Sequence, residues 1–404
     1  MDRLNRLPAV ARELQISSAT ILLLAAACGL IVANIYYAQP LIGPIAQSLG
    51  LAPQAAGLIV TMAQIGYGAG LVFVVPLGDL VENRRLVIAC VAFSAIALAF
   101  AAVAISPAAF LVCSGAIGLG AVGVQIIVPL AAHLAPDAIR GRVVGAVMSG
   151  LMVGIMVARP VASFIASEAS WRAVFAVSAA LMIALALVLS RTLPVRTPES
   201  RMSYGALIGS MARLAAATPV LRLRAFYQSC LFGAFSLFWT TTPLLLAGPD
   251  YGLTQRGIAL FALAGVSGAV AAPIAGRLAD RGYTGPATAG AICLVALGFL
   301  ATIAVPQGST LALALLVAAA IAVDFGVQAN VVLGMRAIFA LAPEARGRLN
   351  GVYIATFFAA GALGSAVGAW AYAKGGWLLA SRIGLALPLI ALARFVFRAI
   401  FRRG

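Results

Sequence analysis

The sequence predicts an all-α integral membrane protein with twelve transmembrane helices in two pseudo-symmetric six-helix bundles. Three observations predict it: the composition, the length of the uncharged runs, and a set of residues that recurs at about half the chain length. The 404 residues are 63% hydrophobic and only 9% charged, with mean hydropathy +1.07, whereas a soluble domain carries about 25% charged residues. No Asp, Glu, Lys or Arg occurs between Glu13 and Asp79, between Arg85 and Asp137, or between Arg281 and Asp324. Each run accommodates two spans of about 20 residues, or nearly so.

Breaks at Pro, Gly and charge clusters place the first six spans near 19–38, 54–78, 86–105, 108–133, 143–166 and 171–190. The last six fall near 225–246, 256–277, 285–305, 310–333, 349–373 and 377–395. The domains follow: an N-terminal segment (1–18), a first bundle (19–190), a linker (191–224), a second bundle (225–395) and a tail (396–404). Arg3, Arg6 and Arg12 before the first span resemble a secretory leader, but the apolar run is long and continues into NIYYAQP without a small-residue cleavage site. It is expected to be a retained helix.

The net charge is +16, and every basic residue but Lys374 is Arg. These arginines lie between apolar spans rather than on one hydrophilic face, which argues against nucleic-acid binding. With an even number of spans, the side holding both termini collects 22 of the 27 basic residues. Arg172, Arg256 and Lys374 lie opposite, and Arg159 and Arg382 lie within spans. Both termini are therefore expected in the cytoplasm of a bacterial inner membrane. The linker, with Pro194, Pro198 and the weakly amphipathic SYGALIGSMARLAAAT, is expected to rest on that membrane surface. The five cysteines all fall in apolar spans and read as small buried side chains.

The halves repeat each other in order. PLGDL with Asp79 answers GRLADRG with Asp280, GVQ at 123–125 recurs at 326–328, and HLAPDAIRGRVVG answers ALAPEARGRLNG. Self-similarity at half length is how parallel transporter repeats appear in sequence.

These residues resemble the major facilitator superfamily over essentially the whole chain. GRLADRG at 276–282 is similar to the family's signature loop, while GDLVENRR at 78–85 keeps Asp79, Arg84 and Arg85 but lacks the second Gly. Span five, with Gly145, Gly150, Gly154 and Ala158, is similar to a motif of proton-driven exporters, although Arg159 stands before Pro160 where that motif has Gly. The resemblance implies two bundles rocking about a midplane site lined by spans one, four, seven and ten. It also implies that Asp79, Arg84, Arg85, Asp280 and Arg281 form an inner gate. Their expected partners are the starts of spans eleven and five, with Arg346, Arg348, Arg140 and Arg142 close by.

Asp324 is the only carboxylate deep in a span. A charge at that depth costs on the order of 3 kcal/mol or more, so it should face a wet cavity or a partner. Desolvation would let it load and release a proton near neutrality; a static ion pair or a packing hydrogen bond is the alternative. Arg159 is the matching cation in span five and stays protonated when buried. It could pair with Asp324 or cap carbonyls of neighbouring helices. Cavity candidates are Asn34 and Tyr37 in span one, Gln125 in span four, Phe235 and Trp239 in span seven, and Gln328 in span ten. The pairs Asn34 with Tyr37 and Asp324 with Gln328 each share a helical face. His133 reads as a helix-end histidine and Arg382 as a side chain reaching the headgroups. Gly66, Gly70, Gly361, Gly364 and Gly368 permit close helix approach.

The expected function is secondary active transport by alternating access: a monomeric proton-coupled antiporter exporting a small organic solute, neutral or anionic, with no cofactor and no metal. A proton symporter for uptake is the alternative, and a transport-inactive sensor or scaffold a remote one. No catalytic constellation is present: there is no HExxH and no phosphate loop, and an aspartyl protease needs two deep carboxylates.

Overall fold

The computed structural model describes residues 17–198, 202–341 and 345–401. Among them only helices and their connections occur. Ten helical segments are long and apolar enough to cross a membrane, and a shorter apolar helix, Ser18–Ala33, precedes them. The last of the ten holds two helices: Gly375 and Gly376 are non-helical, and Gly376 has φ 62°, a conformation that only Gly adopts without a Cβ penalty.

In chain order the first bundle contains α1 (Ser18–Ala33), α2 (Ile42–Leu49), α3 (Leu58–Phe73), α4 (Asn83–Val103), α5 (Pro107–Ala121), α6 (Val124–Leu134), α7 (Arg140–Glu168) and α8 (Trp171–Thr192). The connecting helix α9 (Tyr204–Ala217) follows. The second bundle contains α10 (Pro219–Ala247), α11 (Gln255–Ala262), α12 (Gly268–Asp280), α13 (Thr284–Ile303), α14 (Thr310–Phe339) and α15 (Arg346–Phe401). Ser17, Ser106, Ser170, Ser203, Thr254 and Ser309 each cap a helix by accepting a backbone N–H.

The packing repeats between halves. α1 lies on α7 as α10 lies on the first part of α15, and α3 lies on α5 as α12 lies on α14. Small residues permit these approaches. A Cβ on Gly150 would come within 2.2 Å of the Ala25 carbonyl, and one on Gly154 within 2.2 Å of the Gly29 carbonyl. In the second half a Cβ on Gly364 would come equally close to the Gly233 carbonyl. Gly145, the other glycine of that exporter-like motif, has nothing within 4 Å of such a Cβ. The halves meet mainly where α15 crosses α3 and where α11 crosses α7.

Four elements in particular depart from the sequence expectation. Span one is not a continuous helix over 19–38: α1 ends at Ala33, turns follow, and a 3-10 turn at Gln39–Leu41 leads into α2. Asn34 Nδ2 donates to the Leu30 and Ile31 carbonyls, competing with the ladder, and Pro40 contributes no N–H. Span eight is likewise divided by a 3-10 segment at Leu263–Ser267. Finally, the seventh span starts at Pro219 rather than near 225, and the last helix continues to Phe401 rather than ending near 395. Pro at the first helical position explains that earlier start.

The linker contains α9, which buries Leu207, Ser210 and Met211. Tyr204 OH donates to the Phe73 carbonyl, and Arg348 Nη1 donates to Ser210 Oγ at 2.9 Å. The helix therefore bridges the arginine-rich ends of the two halves.

Candidate transport site

Span five carries its arginine into the centre of the molecule, where α7 continues through Pro160. Arg159 is 1% exposed and Asp324 7%. Arg159 Nη1 donates to Asp324 Oδ1 at 3.3 Å, and its Nε donates to Gln39 Oε1 at 2.8 Å. Trp239 Nε1 donates to Asp324 Oδ2 at 2.7 Å, so both carboxylate oxygens are engaged. The guanidinium carbon lies 4.1 Å from the Trp239 ring centre, 4.9 Å from Phe235 and 5.5 Å from Tyr36. Each ring presents a negative face to the cation. Of the two possibilities left open by the sequence, the direct pair is the one observed.

The network joins four spans. Gln39 arrives on the turn that interrupts span one, and Arg159 comes from α7. Trp239 comes from α10 and Asp324 from α14. Gly265, in the 3-10 break of span eight, completes the wall: a Cβ there would lie 2.8 Å from Arg159 Nη1 and 3.3 Å from Asp324 Oδ1. The irregular backbone of spans one and eight thus occurs where it surrounds the buried charges, the usual place for such backbone in membranes. Two donors remain unpartnered here, Arg159 Nη2 and Gln39 Nε2.

Below the pair lies a cavity of about 250 Å³. Asp324, Tyr36 and Phe235 form its deep end, and its walls run down α7, α14 and the start of α15 to Val144, Phe339 and Asn350. It therefore extends from mid-molecule toward the arginine-rich end. Its surface is mostly apolar, with Met148, Met152, Met156, Phe232, Phe357 and Phe358 prominent, a flexible and polarizable lining. On the opposite side the halves are sealed by a buried polar seam. Thr61 Oγ1 donates to the Ala362 carbonyl at 3.0 Å and shares a hydrogen bond with Ser365 Oγ at 2.8 Å, while Gln64 Nε2 donates to Ser236 Oγ at 2.8 Å. Arg256 and Glu168 pair at 2.6 Å farther out, an exposed contact of small energetic weight.

Of the cavity candidates, Gln125, Phe235 and Gln328 line the space together with Asp324. Gln125 Nε2 donates to Tyr67 OH at 2.9 Å, and Gln328 Nε2 lies 2.8 Å from Met152 Sδ. Trp239 sits behind the cavity against the ion pair. Asn34 and Tyr37 are placed elsewhere: Asn34 is buried against α8, where Ser178 Oγ donates to its Oδ1, and Tyr37 also lies at Ser178. Tyr36 follows Val32 by four residues on the cavity face, while Tyr37 shares the other face with Asn34. Tyr36 was missed because spacing groups residues on a face without saying which face turns to the cavity, and Gln39 because it lies beyond the expected end of span one. The seam residues were legible only as isolated polar positions in apolar spans.

The gate residues divide. Asp79 is half-buried, with Arg348 and Arg196 as the cations acting on it, so the start of α15 is near it as expected. Asp280 does not meet Arg140 or Arg142; it pairs with Arg336 of its own half. Arg140 pairs with Asp137 three residues back and donates to the Ala132 carbonyl at 3.0 Å, and Arg142 is exposed. The cavity separates these two charges on this side, leaving Asp280 and Arg140 each to a neighbour in its own half. Arg346 donates to the Phe339 carbonyl at 3.0 Å, Arg84 to the Ser190 carbonyl, and Arg85 pairs with Glu82 at 2.8 Å, while Arg281 is exposed at the end of α12. No cluster of three or more metal-ligating side chains occurs among the described residues.

Two repeated helical halves around a one-sided central cavity are the architecture of a secondary transporter. The chain belongs to the Major Facilitator Superfamily, whose family model matches residues 21–327. It is 40% identical over 378 residues to the uncharacterized transporter YgaY of Escherichia coli O157:H7, covering 94% of this chain and 95% of that protein. It is 34% identical over 349 residues to the probable transporter SCO4007 of Streptomyces coelicolor, covering 85% and 79%. Among solved structures, a mutant of the nucleoside transporter NupG superposes with TM-score 0.75 at 15% identity, covering 93% of this chain and 99% of that one. A bacterial homolog of the human lysosomal transporter Spinster, inward-facing and unoccupied, gives TM-score 0.67 at 16% identity, covering 95% of both. The protein is a multi-pass membrane transporter of this superfamily.

Proposed function

We propose that the chain is a proton-coupled antiporter that exports a small organic solute from the cytoplasm, with Asp324 as the proton-carrying group. The observation that carries this reading is the Arg159–Asp324 pair, because it spans the two halves: Arg159 belongs to the first and Asp324 to the second. An empty carrier held by a buried interhalf ion pair resists reorientation. A solute competing for Asp324 and Arg159, or a proton neutralising Asp324, would each release the pair. Two ligands that open one latch in turn, while the empty carrier stays latched, give obligatory exchange. With the arginine-rich end in the cytoplasm, the cavity is poised to accept solute from inside.

Symport has one supporting observation, the unpartnered Arg159 Nη2. An anionic solute could satisfy it once Asp324 is protonated, and anion and proton would then move together. A panel of compounds added outside proteoliposomes loaded with a pH indicator tests both. Antiport makes the lumen more alkaline as solute enters, and symport makes it more acidic. No lumenal response to any compound that is itself transported would refute proton coupling.

A further inference from the structure

The central cavity has two unlike walls, one from each half of the molecule. On the second half, Phe232 and Phe235 of α10 join Phe357 and Phe358 of α15 in one aromatic surface. The centre of Phe232 lies 5.3 Å from that of Phe235 and 4.9 Å from each of the two α15 rings. On the first half, Met148, Met152 and Met156 follow at four-residue spacing along α7, so their thioethers share one helical face toward the cavity. Among the described residues Asp324 is the one charged side chain on these walls, and Arg159 already answers it. The volume, about 250 Å³, falls just below the range of about 300–1,000 Å³ usual for pockets that hold drug-sized ligands.

These walls select for shape and for charge. A ring held between them packs offset or edge to face against the phenylalanines, and the polarizable thioethers make favourable contacts with its edge. Net charge is disfavoured by the ion pair. A cationic solute that took Asp324 would isolate Arg159, and an anionic one that took Arg159 would isolate the ionised Asp324; either leaves an unanswered buried charge. A neutral group with a carbonyl beside an N–H avoids both costs. Its carbonyl accepts from Arg159 Nη2, a buried donor without a partner, and its N–H donates to Asp324, whose side chain reaches the cavity. We propose that the transported solute is a small uncharged aromatic compound, of about one or two rings, with an amide-like group. The ring lies between the Phe and Met walls, and the amide bridges Arg159 and Asp324. This assignment rests on the antiport reading, in which the solute-loaded carrier keeps Asp324 ionised and the centre neutral.

The test is equilibrium dialysis of the purified full chain in neutral detergent at mildly alkaline pH, with empty micelles as the blank. Four radiolabelled probes share one scaffold: naphthalene-carboxamide, its saturated decalin analogue, naphthoate and naphthylmethylammonium. The aromatic amide should bind at least about tenfold more tightly than each of the other three, since it alone combines the ring contacts with an uncharged bridge. Phe357→Leu should weaken the aromatic amide about fivefold and Met152→Leu about threefold. Both should leave the saturated amide unchanged, which also shows that the variants fold. A saturated amide as tight as the aromatic one, tighter binding of either charged probe, or no binding of the aromatic amide would overturn the assignment. So would equal losses of the two amides in both variants. Naphthoate overtaking the aromatic amide as the pH is lowered would overturn it in favour of symported anions. Dialysis uses no proton gradient, so a failure of the antiport reading would appear in the lumenal pH assay and a failure of the solute assignment here.

Discussion

Removing the negative half of the central pair should cost more stability than removing the positive half. Asp324→Asn keeps the side-chain shape and an oxygen that can still accept from Trp239, which now donates to Asp324 at 2.7 Å. It leaves Arg159, 1% exposed, without a counter-charge. Breaking a buried pair in this way costs about 3–5 kcal/mol. Three aromatic rings within 5.5 Å of the guanidinium carbon and the Gln39 hydrogen bond at 2.8 Å continue to stabilise the cation. Each ring contact is worth ~0.5–2 kcal/mol, so a net loss of about 3 kcal/mol is expected. Arg159→Gln should cost less, because a lone buried Asp324 can take up a proton whereas Arg159 cannot lose one. The double variant removes both charges and should recover about 2 kcal/mol relative to the sum of the single losses. Thermal unfolding of the purified variants in detergent measures all three. Strictly additive losses, or an Asp324→Asn variant as stable as the parent, would refute an energetically coupled pair.

Three further outcomes are expected. Gly265→Ala should weaken transport at least tenfold while leaving expression intact, since the added Cβ meets Arg159 Nη1 at 2.8 Å and the Trp239 ring at 3.1 Å; solute uptake assays check it, and unchanged transport would place the pair farther from span eight. Asp79→Asn or Asp280→Asn should enrich the inward-open state, read by accessibility of a cysteine at Val144, because each carboxylate organises arginines at the arginine-rich helix ends; unchanged accessibility would argue against a gate. Single cysteines at Asp250 and Gly205 test orientation: a membrane-impermeant reagent should reach position 250 from outside and 205 only from inside, and the reverse labelling would invert the assignment.

The fold was legible because hydrophobic run length and charge asymmetry act at the scale of whole spans. The repeated loops at Asp79 and Asp280 carried the two-fold organisation. The site was legible where one strong cost applies: Arg159 and Asp324 stood out because a charge deep in a span must be answered. What it answered to was hidden, since the partner depends on helix rotation between residues 165 positions apart. Asn34 and Tyr37 share a face as their spacing implied, but that face turns to Ser178, while Val32, Tyr36 and Gln39, at i, i+4 and i+7, face the cavity and the ion pair. Spacing groups residues on a face without saying which face turns inward. The Asp280 gate partner was missed because charge pairing across the halves depends on which side the cavity opens. A sequence shared by all conformations carries no record of that.

The central claim, that Asp324 carries the coupling proton, is tested most directly by Asp324→Asn in proteoliposomes, with proton-driven accumulation and solute exchange measured on the same preparation. Proton-driven accumulation should disappear while exchange of solute across the membrane persists in part, because the binding cavity and its apolar lining remain. Normal proton-driven accumulation by Asp324→Asn would contradict the account and place the proton on another group.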